Sequence, residues 1–312
     1  MVDVAVTSST FCRTPDLRAF AIRILHGNTV RFADGDLPGS SLAEFLANAD
    51  AAIVGREVIT ADLLARCPKL KVISKYGVGL DNLDLSACDA AGVAVLSAPG
   101  VNARAVAEHA LGFAISLFRN LTANDRLLQA GVWRKDGGRQ LFGSNVGLIG
   151  FGATAVEFAR LLRPFEVDLQ VVDIRDRASA AASFGGRQAD LDTVLTSVDL
   201  LSLHVPLTEA TRNLLNRERF ARMKPGSFLI NTSRGEVVDP AALREVLQSG
   251  HLAGAALDVF LSEPINDSLL TSLPSFVGTP HTAGNAREAV AAMGQAAVGN
   301  LRTFLDASAS AT

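Results

Sequence analysis

The stretch that decides the fold is Val146-Gly147-Leu148-Ile149-Gly150-Phe151-Gly152-Ala153-Thr154-Ala155. An apolar run predicts a buried strand, the glycines predict a tight turn, and the periodic apolar positions that follow predict a helix. In such a unit Gly150 permits the turn, Gly152 lets a phosphate approach the backbone, and the third position needs a small side chain, here Ala155. The stretch therefore favours a dinucleotide site at a helix N-terminus, although glycine turns also join strands to helices for purely structural reasons.

The rest of the chain alternates short apolar runs with helical patterns, which is typical of parallel α/β sheets. We therefore predict an α/β protein with two Rossmann-like domains: a doubly wound, parallel-sheet dinucleotide-binding domain and a flavodoxin-like substrate domain. The predicted strands of the first series are 2–7, 29–32, 51–54, 71–74 and 93–97, and those of the second are 146–149, 169–172, 200–204, 228–231, 253–259 and 276–278.

Two helical patterns set the predicted domain boundaries. An apolar-periodic stretch from 103 to about 130 leads from the first series into the second. The pattern at 286–305 has no strand partner of its own, so we expect this helix to pack on the first domain and the Ala/Ser tail after it to fray. We predict a discontinuous substrate domain of residues 1–98 plus 283–312 and a dinucleotide-binding domain of residues 99–282.

Composition excludes several classes of partner. The chain has 312 residues, and its 29 basic and 32 acidic side chains give a net charge of -3 without a run of like charges. This pattern argues against nucleic acid or a membrane as the partner and leaves a small molecule or a second copy of the chain. The three cysteines are too widely spaced for a metal site, no stretch reaches the ~18 apolar residues of a membrane span, and we expect a cytoplasmic protein without a metal.

Asp173 is the candidate that would select the dinucleotide. It ends the strand after the glycine turn, about twenty residues on, where a carboxylate would bind both ribose hydroxyls of NAD. A strand-end turn is the structural alternative for an aspartate in this place. Arg175 could instead accommodate a 2′-phosphate, so NAD is preferred and NADP is not excluded.

Three polar residues of the last third follow apolar runs that predict buried strands: Arg234, Glu263 and His281. Open α/β sheets hold their ligands at these strand ends. A guanidinium can bind a carboxylate with two parallel bonds, and an imidazole can give and take a proton near neutral pH, with a carboxylate fixing its tautomer. Singly each could be an ordinary loop or turn residue, but together with the glycine turn they favour hydride transfer.

At these positions the chain resembles the D-isomer-specific 2-hydroxyacid dehydrogenases, and its motifs are similar to those of the phosphoglycerate dehydrogenase branch. The resemblance covers nearly the whole chain. It rests on Tyr76-Gly77-Val78-Gly79-Leu80-Asp81-Asn82, Pro99-Gly100-Val101-Asn102, Leu203-His204-Val205-Pro206-Leu207-Thr208, Asn231-Thr232-Ser233-Arg234-Gly235 and Thr279-Pro280-His281.

The resemblance implies roles for individual residues. His281 would be the proton donor, Glu263 its partner, and Arg234 the group that binds the substrate carboxylate and polarises the carbonyl. His204 would lie near the cofactor without being the acid, and Asp258 would contact the nicotinamide carboxamide, with a strand-end cap as its structural alternative. The full set of candidate cofactor residues is Gly150, Gly152, Ala153, Thr154, Asp173, Ile174, Arg175, His204, Val205, Pro206, Thr211, Thr232, Ser233, Asp258 and Ala283.

Substrate identity is left open by the sequence. Backbone N–H groups of the turn after Tyr76 could bind an anion, and Arg56 together with Arg104 could favour a phosphorylated acid, although either arginine could be a solvated surface residue. Formate dehydrogenases of the superfamily carry Gln where Glu263 stands, and phosphite dehydrogenases carry Lys where Val78 stands, which disfavours both substrates. The candidate substrate-binding residues are Tyr76, Gly77, Val78, Gly79, Arg56 and Asn102.

The leading hypothesis is an NAD-dependent D-2-hydroxyacid dehydrogenase, similar to a short-form D-3-phosphoglycerate dehydrogenase without a C-terminal effector module, or to a hydroxypyruvate or glyoxylate reductase. The alternative is an NAD(H)-sensing, corepressor-like binding protein with little turnover. The resemblance also implies a homodimer built through the cofactor domain. The apolar stretch 105–118 could supply the interface helix or belong to the ordinary core. His109, within it, is expected to pack at a helix or subunit face.

Overall fold

The computed structural model describes residues 1–310 and contains twelve strands and fourteen α-helices within them. The strands are β1 (Asp3–Val6), β2 (Thr29–Phe32), β3 (Ala51–Val54), β4 (Val72–Lys75), β5 (Ala94–Leu96), β6 (Asn145–Ile149), β7 (Asp168–Val172), β8 (Arg187–Gln188), β9 (Leu200–Leu203), β10 (Ser227–Asn231), β11 (Leu252–Leu257) and β12 (Phe276–Gly278). The helices are α1 (Ser9–Cys12), α2 (Pro15–Ile24), α3 (Ser40–Leu46), α4 (Ala61–Ala65), α5 (Leu85–Ala90), α6 (Ala103–Phe118), α7 (Leu121–Gln129), α8 (Ala153–Leu162), α9 (Ala178–Ala182), α10 (Leu191–Ser197), α11 (Arg217–Arg222), α12 (Pro240–Gln248), α13 (Ser268–Thr271) and α14 (Arg287–Ser310).

The chain divides into two compact units. Unit 1 comprises Met1–Asn102 together with the described residues from Ala286 onward, and unit 2 comprises Ala103–Asn285. Every pairing within both sheets is parallel, so the predicted α/β class is confirmed. The division into functional domains at 98/99 and 282/283 stays a prediction.

Unit 1 is built around a five-stranded sheet in the order β2-β1-β3-β4-β5, the flavodoxin-like arrangement. All four residues of β3 and of β4 are buried, because helices cover both faces of the sheet. Helix α14 packs against α2, and Gly294 allows the close approach because a Cβ there would lie 2.4 Å from a methyl of Leu17.

Unit 2 is built around a seven-stranded sheet in the order β12-β11-β10-β9-β6-β7-β8. The strands β6, β7 and β8 follow one another toward one edge of this doubly wound sheet, and β9 to β12 follow one another toward the other edge. The strand order therefore reverses between β6 and β9, which are neighbours in the sheet. Ligands of such sheets bind beyond the carboxyl ends of the strands at this switch point. The glycine turn that follows β6 lies at this point.

Two predicted elements differ from the observed ones, and one observed strand was not predicted. The single helix expected from 103 to about 130 is broken into α6 and α7 at Asn120, whose φ of 52° is left-handed. The two-residue edge strand β8 was missed. The Ala/Ser tail continues α14 as far as Ser310, because alanine favours helix and the hydroxyls of Ser308 and Ser310 bond to carbonyls one turn earlier. The last two residues of that tail lie outside the described residues.

Across residues 1–310, no helix combines the length and the apolar character that a membrane crossing requires. The same residues contain no group of three or more His, Cys, Asp or Glu side chains arranged to hold a metal ion.

Candidate active site

The three candidate catalytic residues belong to unit 2 and follow three strands that are neighbours in its sheet. Arg234 follows β10, Glu263 follows β11 and His281 follows β12. Because the strands are parallel, their carboxyl ends lie at one edge of the sheet. The sheet therefore delivers a cation, a carboxylate and an imidazole to the same edge, as the sequence predicts.

His281 and Glu263 form a direct pair. The Nδ1 atom of His281 lies 3.0 Å and 2.9 Å from the two carboxylate oxygens of Glu263. An ionised carboxylate only accepts hydrogen bonds, so Nδ1 carries a hydrogen, and Nε2 is the ring nitrogen that can exchange a proton with another group. The side chain of His281 is 36% exposed and that of Glu263 is 18% exposed, so solvent or a ligand reaches the imidazole.

Arg234 is positioned by a network around Asn231. The Asn231 amide donates to the Arg234 carbonyl at 2.8 Å, and its own oxygen accepts from the N–H and hydroxyl of Ser233. The next residue, Gly235, packs so tightly that a Cβ there would lie 2.0 Å from the carbonyl carbon of Phe260. The Phe260 N–H in turn donates to Glu263 at 3.2 Å. Backbone packing and one hydrogen bond thus connect the segment that contains Arg234 with the segment that contains Glu263.

Asp258 organises the loop that carries His281. This carboxylate is buried and accepts from the Thr279 hydroxyl at 2.5 Å, the Thr282 N–H at 2.8 Å and the Ala283 N–H at 2.9 Å. Its backbone carbonyl accepts from the His281 N–H at 2.8 Å. The structure thus gives Asp258 contacts with the loop that sequence analysis did not predict. The predicted contact with the nicotinamide carboxamide stays a prediction.

Glycine occupies the two positions 150 and 152 after β6 for different structural reasons. Gly150 has a φ of +85°, and a Cβ on it would lie 2.8 Å from the carbonyl oxygen of His204, so the fold itself requires glycine here. Gly152 caps the N-terminus of α8, and a Cβ there would meet nothing within 4 Å. No side chain caps this helix end. Ala155 is fully buried, which is the packing role predicted for it, while Ala153 and Thr154 begin the helix at the open end.

Asp173 lies directly beside this turn. Its two carboxylate oxygens accept from the N–H groups of Phe151 at 2.8 Å and Arg175 at 2.9 Å. Burial alone would raise the pKa of Asp173, but these two hydrogen bonds and the charges of Arg177 and Arg175 outweigh it and lower that pKa. The neighbouring Ile174 side chain is completely exposed, an apolar group in a position where a flat ring could cover it.

His204 follows β9 and turns its ring inward. Its Nε2 atom lies 2.9 Å from the Ser202 hydroxyl, and its ring centroid lies 5.7 Å from that of Phe158. Burial lowers the pKa of His204 to about 4, so the ring is neutral at physiological pH. This lowered pKa favours a neutral ring near pH 7, and that His204 is not the acid stays a prediction.

The loop after His204 and the end of β10 complete the candidate cofactor surface. The Thr211 hydroxyl donates to the Pro206 carbonyl at 2.6 Å and so holds the segment that includes Val205. The Thr232 hydroxyl oxygen is buried and has no hydrogen-bond partner among the described residues. An orphaned hydroxyl, an uncapped helix end and an open glycine together fit a ligand with phosphate and hydroxyl groups.

The candidate substrate residues belong to unit 1, where each lies after β3, β4 or β5. Tyr76 is buried, its hydroxyl has no partner among the described residues, and burial raises its pKa to about 12. Gly77 has a φ of 111°, and the turn continues through Val78 and Gly79. Arg56 is exposed and Asn102 is half-buried.

A buried lysine that was not among the predicted site residues joins two of these strand ends. The Lys75 ammonium donates to the Gly55 carbonyl and, at 2.6 Å, to the Asn82 side chain, whose amide donates back to Glu57. Lys75 and Asn82 thereby connect the residues on both sides of the turn 77–79 to the end of β3. A buried lysine in an apolar run was the only signal of this arrangement in the sequence.

Two further residues differ from expectation. Arg104 bonds to Glu108 at 2.7 Å and lies 3.5 Å from Glu157, so two carboxylates already neutralise the charge that we expected to favour an acidic substrate. His109, expected at a packing face, does contact Phe113, with ring centroids 4.6 Å apart, but its Nε2 atom also lies 2.9 Å from the Thr279 hydroxyl. That hydrogen bond joins α6 to the loop of His281.

Comparison with known proteins gives a consistent set of relatives. Residues 111–283 match the family model described as D-isomer specific 2-hydroxyacid dehydrogenase, NAD binding domain. A D-3-phosphoglycerate dehydrogenase of Mycobacterium leprae is 36% identical over 263 residues, which cover 83% of this chain and 50% of that protein. The chain therefore spans about half the length of this relative. A glyoxylate reductase of Thermofilum pendens is 39% identical over 79% of this chain and 75% of its own.

The fold has counterparts among solved structures. D-lactate dehydrogenase from Aquifex aeolicus, complexed with NAD and lactic acid, superposes with a TM-score of 0.86 at 26% identity and covers 98% of this chain and 96% of its own. The family match confirms that unit 2 contains an NAD-binding domain and that NAD is the cofactor predicted correctly from the glycine turn and Asp173.

Proposed function

Because the chain belongs to the D-isomer-specific 2-hydroxyacid dehydrogenase family, we propose that it interconverts a D-2-hydroxy acid and the corresponding 2-keto acid with NAD(H). The observation that carries this proposal is the pair of His281 and Glu263 at the strand ends of the NAD-binding unit. A proton donor and a hydride source are the two things that reduction of a keto group needs.

The proton would be held at Nε2 of His281. When NADH is bound, it supplies the hydride for the carbonyl carbon. His281 then gives its proton to the carbonyl oxygen, and the bond from Nδ1 to Glu263 stabilises the imidazolium before the transfer. In the oxidative direction the neutral ring accepts the proton from the hydroxyl group.

Arg234 would orient the acid. Its backbone is fixed by Asn231, and its guanidinium donates to the Ser233 carbonyl at 2.7 Å. Two parallel charge-assisted bonds to the substrate carboxylate would hold the carbonyl in one direction, which a lysine could not do. In unit 1 we propose that Arg56, Tyr76, the turn 77–79 and Asn102 contribute to substrate binding.

The cofactor would be bound by the groups around the glycine turn. The pyrophosphate would lie over Gly152 at the N-terminus of α8, and Asp173 would accept hydrogen bonds from the ribose hydroxyls. Aspartate is ionised at neutral pH, and its hydrogen bonds and neighbouring arginines lower the pKa of Asp173 further, so a 2′-phosphate would meet a negative charge. We therefore propose a preference for NAD over NADP.

The substrate is a small 2-hydroxy or 2-keto acid in this proposal. Similar proteins carry the names D-3-phosphoglycerate dehydrogenase, glyoxylate reductase and hydroxypyruvate reductase, which differ in what the acid carries beyond its reacting carbon. NADH oxidation followed at 340 nm (the standard wavelength for this cofactor) should be measured with phosphohydroxypyruvate, hydroxypyruvate, glyoxylate, pyruvate and 2-ketobutyrate, and repeated with NADPH. We expect turnover of at least one acid with NADH. Absence of turnover with all of them, while NADH binds, would count against the proposal.

A homodimer in the cytoplasm is the proposed state. Many apolar residues of α6, for which interface and core were both open, pack in a core cluster of unit 2, while Leu128, Val132 and Trp133 expose 59%, 46% and 80% of their surface. A second copy could cover these side chains. Light scattering should give a dimer mass for the wild type and a monomer mass for Trp133→Glu; a monomeric wild type would contradict the proposal.

A further inference from the structure

We propose that His109 is a positioning residue for the catalytic loop: through Thr279 and Asp258 it holds His281 in the orientation that proton transfer needs. This inference rests on the proposed function, because it assumes that His281 is the proton donor. It assigns to His109 a role that packing against Phe113 alone would not give.

The hydrogen bonds of Thr279 define which way the network points. Its hydroxyl lies 2.5 Å from a carboxylate oxygen of Asp258 and 2.9 Å from Nε2 of His109. A hydroxyl has one hydrogen, and an ionised carboxylate can only accept, so this hydrogen belongs to the bond with Asp258. His109 must then donate from Nε2 to the Thr279 oxygen. The network therefore runs from His109 to Thr279 to Asp258, with each group donating to the next.

Asp258 connects this network to the loop, because it binds residues on both sides of His281. Its carboxylate binds the Thr279 hydroxyl before His281 and the N–H groups of Thr282 and Ala283 after it. The carboxylate is buried, so these three hydrogen-bond donors compensate its charge. Loss of one donor would let the carboxylate turn and loosen the others.

The backbone of His281 needs such support. Its φ of 54° lies in the left-handed region, which costs a non-glycine residue free energy and persists only where the surroundings impose it. Its N–H is bound to the carbonyls of Asp258, at 2.8 Å, and Thr279, at 3.0 Å. The same two residues that His109 reaches by hydrogen bonds therefore fix the backbone from which the imidazole projects.

The test separates the hydrogen bond from the packing. His109→Phe keeps a ring against Phe113 but removes the donor, His109→Gln keeps an N–H within similar reach, and Thr279→Val removes the hydroxyl. We expect kcat/KM for the best keto acid to fall roughly 10- to 100-fold in His109→Phe and in Thr279→Val, since small misplacement of a catalytic group is this costly. His109→Gln should recover most of the loss, which a merely structural ring would not allow.

Two further measurements test whether His109 acts through Thr279 and whether it fixes the loop of His281. If His109 acts through Thr279, the double variant His109→Phe/Thr279→Val should be no worse than Thr279→Val alone. In the absence of any substrate, hydrogen exchange of the amides at 281–283 should be about tenfold faster in His109→Phe, the ratio expected for loss of a hydrogen bond in a charged network.

Equal activity and equal exchange in His109→Phe and the wild type would overturn the inference, as would a Gln variant as impaired as the Phe variant. Additive losses in the double variant would also overturn it. A wild type without turnover on any acid would instead refute the proposed function. The exchange measurement would then still decide whether His109 fixes the loop.

Discussion

At the scale of single residues, the two glycines of the cofactor turn can be separated by experiment. Gly150→Ala would place a Cβ 2.8 Å from the His204 carbonyl oxygen at a positive φ. We expect the free energy of unfolding to fall by at least about 2 kcal/mol, since left-handed strain and a backbone clash add together. Gly152 has an extended backbone and open space above it, and threonine is an accepted helix N-cap. Gly152→Thr should leave the unfolding free energy within about 0.5 kcal/mol of wild type.

Of these two variants, Gly152→Thr also tests where the cofactor binds. A threonine side chain would occupy the space proposed for the pyrophosphate, so the Kd for NADH, measured by fluorescence titration, should rise about tenfold or more in Gly152→Thr. Unchanged NADH affinity in this variant would mean that the phosphates bind elsewhere. The opposite pattern, with Gly152→Thr unfolded and Gly150→Ala stable, would contradict the structural distinction between the two glycines.

The proton donor gives a second prediction at this scale. His281→Ala removes the proposed proton donor and should lower kcat by about 10³-fold, within the usual range for general acid catalysis. The Kd for NADH should stay within about twofold, because a change of that size lies below the energy of one hydrogen bond. His26→Ala is the matched control, since His26 is exposed in unit 1 and its ring contacts the Arg23 carbonyl at 3.2 Å. More than a tenth of wild-type kcat in His281→Ala would exclude it as the acid.

At the scale of elements, His204 at the end of β9 makes the stability of the fold depend on pH. The pKa of His204, lowered to about 4 by burial, lies below its ordinary value of 6.5 in the unfolded chain. Between these values the unfolded state binds the proton and the folded state does not, so the folded state loses stability as pH falls from about 6.5 to about 4. The loss is of order 3 kcal/mol at most. Above pH 7 His204 does not add to the pH dependence of the free energy of unfolding.

Comparison with His204→Gln isolates this contribution, since glutamine keeps a side-chain amide near Ser202 but does not titrate. Urea unfolding at a series of pH values should show a stability difference between wild type and variant that is constant above pH 7. The difference should shift in favour of the variant as pH falls toward 4. A difference that does not depend on pH in this window would mean that the ring is accessible to protons in the folded state.

The elements also show what the sequence could predict. Continuous apolar runs identify every buried strand, because both faces of a parallel sheet are covered. The break at Asn120 was not predictable from periodicity, since the apolar pattern continues across it and only a left-handed backbone interrupts the helix. Strand β8 has two residues and therefore no pattern of its own.

For the site, the sequence pointed to the residues that end strands, because strand ends determine where Arg234, Glu263 and His281 lie. It could not assign a hydrogen bond to His109, whose partner Thr279 is 170 positions away. Nothing local marks such a pair, and only the packing of α6 in unit 2 brings it together. Lys75 was missed for a different reason: a lysine in an apolar run gives a signal, but the run does not show that the Gly55 carbonyl and the Asn82 side chain accept its hydrogen bonds.

At the scale of the whole molecule, each unit has its own buried apolar core on each face of its sheet. Two clusters lie in unit 2 and two in unit 1, and the cofactor groups proposed here all belong to unit 2. A chain of this kind need not unfold in a single two-state step. A ligand stabilises only the structure to which it binds.

NADH should therefore protect unit 2 selectively. At a free concentration about 100 times its Kd, NADH adds about 2.7 kcal/mol to the stability of the state that binds it. Hydrogen exchange measured along a urea series should show the amides of β6 and β9 in unit 2 opening at higher urea with NADH, and those of β1 and β3 in unit 1 shifting less. Gly152→Thr is the control, because it should lose most of the shift while keeping the same fold. Equal protection of both units would mean that they unfold as one cooperative body, and no protection of β6 would refute the proposed location of the cofactor.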